Sequence, residues 1–490
     1  MTSLRTVVLA CVLGGCGPDR FAIDLAATHQ TWEGSGASLP AWDGNMRELV
    51  RSEPWQQLYI ADMGMTVLRV DLMPTVLDPR GRHSDLAVRF GDDLEQNVAL
   101  FDYRRSPRAA IYGELAADLE FDLAANTPDR LRVLASVWTP PHWLKSDATL
   151  PNGGADSAGG KLRMDADNLE QYARYMVAAV VAWERRFGVE IHALSIQNEP
   201  RFEQKYSSLV LTPDEYATAL AAVVTEFEKQ GRKTSFFGPE DVGYGKEGDR
   251  WMIDQQLSYV KAVMAHPIAG PAFDAFAVHG YGGDGIDSDG HAAPENWAYY
   301  WSQIESYGLP SWQTETGGGS PQWDGRGTFS EDSKGGPLML ANVLFEAMTF
   351  GNVSLWCNWF FTNLQLDPYA LLGADLNTDN PKYAVAKHFF RFIRPGAVRT
   401  TVTPPDHDGT RVVAWHHASA DQLTIVLLNL RSRVAKVEID VAGGAGARVL
   451  QRYETTKDAY FVQRDATSSA GGHLVIELPP ASITTLSEVP

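Results

Sequence analysis

Cysteine is scarce, with three residues in 490, at positions 11, 16 and 357. Stability cannot rest on a disulfide framework, and the core must hold by burial. Basic charge is also short: 42 Lys+Arg stand against 61 Asp+Glu, for a formal charge of -19. No dense Lys/Arg stripe offsets this balance, which argues against nucleic acid or another polyphosphate as partner. Long apolar runs are missing too, since no segment reaches the roughly 18 residues a membrane-spanning helix needs.

What is present begins with Arg5 and a short apolar run, Val7 to Leu13, with the proportions of a secretory signal. The run ends in Leu13-Gly14-Gly15-Cys16, which resembles the bacterial lipobox. Residues 1–16 are therefore expected to be a signal peptide, with Cys16 as the lipidation site. The chain is expected to be exported, either as a cell-envelope lipoprotein or as a secreted protein, and to meet membrane only through that anchor. With Cys11 removed and Cys16 acylated, only Cys357 remains and no disulfide can form.

From about Met65 to Phe361, short β-rich runs alternate with stretches of helical period, the pattern of repeated βα units. Strands are expected at Trp32 to Ala37, Thr66 to Leu72, Arg132 to Trp138, Ala193 to Asn198, Thr234 to Gly238, Phe273 to Tyr281, Pro310 to Glu315 and Asn352 to Phe360. Eight is the number that closes a (β/α)8 TIM barrel. Asn168 to Phe187 carries a broad apolar stripe at helical spacing, and Thr212-Pro213-Asp214-Glu215 has the residues of a helix N-terminus. After Arg394-Pro395-Gly396 the texture changes to short alternating strands without helices, expected at Val412 to His416, Leu423 to Asn429, Ala435 to Val441, Arg448 to Tyr453, His473 to Leu478 and Ile483 to Ser487. The fold class expected is thus α/β, a TIM barrel over 32–394 with an associated antiparallel β-sandwich over 395–490.

Two glutamates close apolar runs in the barrel region: Glu199 in Leu194-Ser195-Ile196-Gln197-Asn198-Glu199 and Glu315 in Trp312-Gln313-Thr314-Glu315. A carboxylate is costly at the end of a buried strand, so two of them at the carboxyl ends of the fourth and seventh strands point to a pair facing across the barrel mouth. Opposed carboxylates are the equipment of glycoside hydrolysis, one as proton donor and one as nucleophile or base. Asn198 is placed to meet a sugar 2-hydroxyl, and Arg69 to keep a neighbouring carboxylate ionised. Of Arg69 and Asp71 on one strand, Arg69 is expected to enter the barrel mouth.

These motifs resemble those of glycoside hydrolase family 30, the family of glucosylceramidases, endo-β-1,6-glucanases, β-1,6-galactanases and glucuronoxylanases. Four further stretches carry the likeness: Trp32-Glu33-Gly34-Ser35-Gly36-Ala37-Ser38, Ser136-Val137-Trp138-Thr139-Pro140-Pro141-His142-Trp143-Leu144-Lys145, Gly238-Pro239-Glu240 and Phe392-Ile393-Arg394-Pro395-Gly396. The resemblance implies a retaining mechanism with Glu199 as acid/base and Glu315 as nucleophile. It also implies a β-sandwich built from both chain ends, so that residues 20–31 join it as a strand. Two departures stand out. Ser35 replaces an aromatic usual in the family, and no Arg lies between Trp359 and Lys382, where glucuronoxylanases are expected to grip a glucuronic acid branch.

Trp138, Trp143, Tyr281, Trp356 and Trp359 are candidate platforms for sugar faces, and His279 a candidate partner for a sugar hydroxyl or for Glu315. Asp287-Ser288-Asp289-Gly290 resembles a calcium loop but lacks the first acid, and a solvated loop is the expected reading. No cofactor and no catalytic metal are expected, since two carboxylates suffice. The partner expected is a β-linked polysaccharide or oligosaccharide of glucose, galactose or xylose. The rival reading is an inactive barrel that binds glycans at the surface of the cell without cleaving them.

Overall fold

The computed structural model describes residues 17–39, 45–77, 88–146, 158–242, 249–281, 286, 294–317, 336–443 and 446–489. The expected signal segment with Cys16 and the acidic Asp287 loop lie outside them.

The chain enters through a long strand, β1 (Asp19–Thr31), and passes directly into the barrel. Eight strands follow: β2 (Gly34–Ser38), β3 (Val67–Asp71), β4 (Arg132–Ser136), β5 (Ile191–Ser195), β6 (Ser235–Val242), β7 (Phe273–Gly280), β8 (Ser311–Thr316) and β9 (Val353–Asn363). Each pairs in parallel with the next, and β8 pairs with β9, which pairs with β2, so the sheet closes on itself. A short strand, β10 (Ala370–Gly373), pairs with the far end of β9. All eight expected barrel strands are present, although their ends differ. β5 stops at Ser195, four residues before Glu199, whereas β6 continues beyond Gly238 and carries Glu240.

The barrel is filled from within by Val67, Leu134, Ala193, Phe237, Ala275, Trp312 and Leu355, a separate apolar cluster inside the sheet. Because side chains alternate along a strand, the neighbours of these residues face the surrounding helices. The helices include α1 (Pro107–Asn126), α2 (Ala166–Phe187), α3 (Pro213–Lys229), α4 (Asp249–Ala265), α5 (Pro294–Ile304), α6 (Pro337–Thr349) and α7 (Pro381–Phe390). Thr212 caps α3 in a reciprocal box with Glu215, as its sequence anticipates. At the amino ends of the strands, Glu33 accepts from Trp312 Nε1 at 2.9 Å, Ser354 Oγ at 2.8 Å and Arg132 Nη1 at 2.8 Å, tying β4, β8 and β9 together.

The strands of the C-terminal region form one continuous hydrogen-bonded sheet, and strands far apart in its order pack into a shared apolar core, Leu450 and Leu486 with Leu474 and Ile476. It contains β11 (Val398–Thr403), β12 (Thr410–His417), β13 (Gln422–Asn429), β14 (Ala435–Ala442), β15 (Val449–Thr456), β16 (Ala459–Ser468), β17 (His473–Leu478) and β18 (Ser482–Ser487), in the order β16-β15-β18-β13-β12-β11-β1-β14-β17. Its pairings are antiparallel except β1 with β14, so the N-terminal strand does belong to this sheet. Alternation explains its attachment to the barrel: Val412, Ala414, Ile425 and Leu427 fill its own core, while Val413, Trp415, Val426 and Leu428 join the core cluster of the barrel. Trp415 meets Trp32 edge to face at 5.5 Å. With both faces buried, β13 reads as a continuous apolar run. No described helix is long and apolar enough to cross a membrane.

Candidate active site

The carboxyl ends of the barrel strands converge on Arg69, a fully buried cation. It lies two residues beyond inward-facing Val67 on β3 and therefore points into the barrel. Its three nitrogens address three acceptors: Nε donates to Glu240 Oε1 at 3.0 Å, Nη1 to Glu315 Oε2 at 2.6 Å and Nη2 to Asn198 Oδ1 at 2.7 Å. The guanidinium also lies 4.6 Å from the centre of the Trp138 ring, a cation–π contact in a desolvated site.

His279 follows inward-facing Ala277 on β7 and enters from the other side. Its Nδ1 lies 3.0 Å from Glu199 Oε1 and 3.9 Å from Glu315 Oε2, and its Nε2 lies 3.5 Å from Glu240 Oε1. Tyr281, two residues on, donates its hydroxyl to Glu315 Oε1. The other oxygen of Glu199, Oε2, accepts from Gln204 Nε2 at 2.6 Å. One carboxylate oxygen of Glu199, one of Glu315 and a ring nitrogen of His279 all lie within 4.8 Å of one another. This trio has the spacing of metal ligands. The Arg69 guanidinium bonded to Glu315 opposes a cation there, and the donor–acceptor pairing describes a proton network instead.

Local backbone irregularities aim the acids. Glu315 sits at a register shift between Gln313 and Glu315 on β8, which turns it inward although Trp312, three residues earlier, also faces inward. Glu199 and Glu240 both have left-handed backbone, φ 46° and 55°, and the Glu199 N–H donates to the Glu240 carbonyl at 3.0 Å. Arg201 pairs with Asp241 at 2.9 Å and donates to Val242 O at 2.9 Å, fastening the loop after Glu199 to β6.

No family model matches the chain. A glucuronoxylanase of Bacillus subtilis (strain 168) is 22% identical over 357 residues, 72% of this chain and 73% of that protein. The family 30 endoxylanase of Clostridium papyrosolvens C71 superposes with a TM-score of 0.69 at 19% identity, covering 96% of this chain and 100% of the other. An endo-β-1,6-glucanase superposes with a TM-score of 0.66 at 17% identity, covering 97% and 95%. The fold is that of glycoside hydrolase family 30.

On this family 30 fold the positions expected from sequence sort clearly. Arg69, Asn198, Glu199, His279, Tyr281 and Glu315 come together in one hydrogen-bonded cluster, with Trp138 beneath Arg69 and Trp359 beside Trp138 at 5.9 Å between ring centres. Trp356 does not join them. It is fully buried in the outer core and donates to Asn358 Oδ1 at 2.9 Å, because on β9 the residues of its own parity face the helices while Leu355, Cys357 and Trp359 face inward. Trp143 likewise packs into the outer core. Cys357 is a free thiol whose pKa burial pushes up.

Two members of the cluster carried no role in the sequence reading. Glu240 shows the same signal as Glu199, an acid closing an apolar run. Gln204 gives none, since it reaches the site from an irregular loop.

Burial is the largest influence on Glu199 and lifts it to about 7, with Glu315 adding to the effect and the His279 contact opposing it. Burial alone lowers His279, but the carboxylates of Glu315, Glu199 and Glu240 outweigh it and hold the imidazole up at about 9. Glu240 is driven the other way: burial raises it, and Arg69 and His279 together hold it well below the usual carboxylate range. Burial and the adjacent Glu315 keep Tyr281 far above the ordinary phenol value, so it remains a hydrogen-bond donor.

Proposed function

We propose that the chain is a retaining β-glycoside hydrolase, with Glu199 as acid/base and Glu315 as nucleophile. The observation that carries this reading is the approach of Glu199 and Glu315 to within 4.8 Å, oxygen to oxygen, across the barrel mouth. Retaining enzymes hold their carboxyl groups about 5–5.5 Å apart, whereas inversion needs about 6.5–9.5 Å to admit a water. The environments divide the roles. Glu199, held near 7, is poised to give a proton to the leaving oxygen and to take one from water in the second step. Glu315 receives donors from Arg69 and Tyr281, which orient it toward the anomeric carbon. Asn198 spends its oxygen on Arg69, which turns its amide N–H groups toward the cleft and a sugar hydroxyl.

The substrate class is a β-linked glucan, galactan or xylan, and within that range the xylan- and β-1,6-glucan-cleaving proteins that share the fold support xylan and glucan. A neutral glycan fits best. The chain between Trp359 and Lys382 carries no Arg, and Lys382 is buried with Nζ on the Pro368 carbonyl at 2.6 Å. Export through the N-terminal segment, with acylation at Cys16, belongs to the same proposal. Its check is incorporation of a tagged fatty acid in a bacterial host that disappears in Cys16→Ser.

The experiment for the activity is hydrolysis of a panel of β-1,6-glucan, β-1,6-galactan, glucuronoxylan, β-1,4-glucan and aryl β-glycosides, beside Glu199→Gln and Glu315→Gln. Turnover of at least one substrate, lost by a factor of about 10³ or more in Glu315→Gln, is expected. Binding without turnover in the unaltered protein, with affinity unchanged in Glu199→Gln, would instead establish a glycan-binding barrel.

A further inference from the structure

A two-glutamate mechanism leaves the third carboxylate of the cluster without a task. Glu240 is fully buried at the end of β6, next to a register shift between Pro239 and Asp241. Its Oε1 accepts from Arg69 Nε at 3.0 Å and stands 3.5 Å from His279 Nε2, while Arg69 Nη2 and His279 Nε2 lie only 3.4 Å apart. Two nitrogen groups at that separation, one always cationic, repel in this buried site once the other is protonated, unless an anion lies between them. We propose that Glu240 is a positioning residue that bridges Arg69 and His279, holding His279 charged and both side chains oriented toward Glu315 and Glu199. The proposal rests on the glycosidase reading for its effect on turnover but not for the bridge itself.

The surroundings leave this task to Glu240. The other titratable groups around it are Glu199 beyond β5, Glu315 on β8, Tyr281 on β7, Asp241 beside it, Tyr216 on α3 and Cys357 on β9. Glu199 and Glu315 face the opposite nitrogen of His279, Nδ1, and Tyr281 is committed to Glu315. Asp241 is committed to Arg201. Tyr216 and Cys357 are kept protonated by burial. Removing the Glu240 charge therefore leaves Nε2 of His279 facing the guanidinium, and the imidazole gives up its proton at lower pH.

The test is a ¹⁵N NMR titration of His279, its signals assigned by their absence in His279→Gln, together with kcat on whichever panel glycan is turned over. In Glu240→Gln the His279 transition is expected to fall by at least about one pH unit, with kcat reduced about tenfold or more. Glu240→Asp, which keeps the charge but shortens its reach, is expected to fall between this variant and the unaltered protein. An unmoved His279 titration in folded Glu240→Gln overturns the proposal. So does failure of both variants to fold, which would assign Glu240 to folding. A shifted titration in a protein that cleaves no glycan upholds the bridge and removes the glycosidase reading instead.

Discussion

At the scale of single residues, Glu199, the proposed acid/base, is held by two donors of different kind, His279 on one oxygen and Gln204 on the other. A proton donor must be protonated when substrate arrives, so kcat/KM is expected to fall as pH rises through about 7, the value to which burial lifts Glu199. Gln204 donates to the carboxylate at 2.6 Å, and a donor of this kind favours the ionised form. Its removal in Gln204→Leu is therefore expected to raise Glu199 further and to move the alkaline limb of kcat/KM up by about one pH unit. A limb that stays in place, or moves down, in a variant of unchanged melting temperature would dismiss this role. The sequence was legible at most of these positions, because a carboxylate or arginine in an apolar run has few structural excuses. It was misleading at Trp356, where only strand parity separates a cleft aromatic from a core one. It was silent at Gln204, which no periodicity places.

At the scale of elements, barrel strands were easy to read because both faces are buried and their composition is strongly apolar. The strands that went unread were different in kind. β16 is a largely solvated edge strand, Ala459–Ser468, with Gln463, Arg464 and Asp465 at its centre, and β11 is a threonine-rich strand at the exit from the barrel. Register shifts were invisible too, although they are what turn Glu315 and Glu240 toward the site. The run Gly34-Ser35-Gly36 gains a physical meaning in β2. A Cβ on Gly36 would lie 1.8 Å from the Val67 carbonyl oxygen and 2.7 Å from Val67 Cβ, and Gly36 pairs directly with Val67. The clash is with backbone, so no side-chain rotation can relieve it. Gly36→Ala is expected to cost at least about 3 kcal/mol or to abolish soluble protein. Urea unfolding within about 1 kcal/mol of the unaltered protein would show that β2 can draw away from β3 without loss.

At the scale of the whole molecule, the barrel and the C-terminal sheet share a buried seam that is partly polar. Arg399 Nε donates to Gln30 at 2.8 Å, and Gln30 in turn donates to the Met348 carbonyl at 2.7 Å, joining β11 and β1 to α6. At the other side of the seam, His388 on α7 is fully buried, with Nδ1 2.8 Å from Thr485 Oγ1 and Nε2 2.9 Å from Thr455 Oγ1. Burial, aided by the Lys387 charge, lowers this histidine to about 3. The consequence for stability follows from linkage. An unfolded histidine titrates near 6.5, so between about 6.5 and 3 the unfolded chain binds the extra proton and the folded one does not. The contribution is complete above about 6.5 and is lost as pH falls, by about 1.4 kcal/mol for each unit. His388→Gln retains a hydrogen-bonding side chain that does not titrate. Its stability is therefore expected to gain on that of the unaltered protein as pH is lowered from 6.5 toward 4.5, reaching about 3 kcal/mol relative to the difference at pH 7.5. Urea unfolding at these pH values measures the difference directly, and two parallel stability curves would mean that the imidazole takes up its proton without disturbing the seam. If the curves diverge, acid loosens the sheet from the barrel at a pH where Glu199 is fully protonated, so the junction would contribute to any loss of activity at low pH to which the proposed acid/base would not.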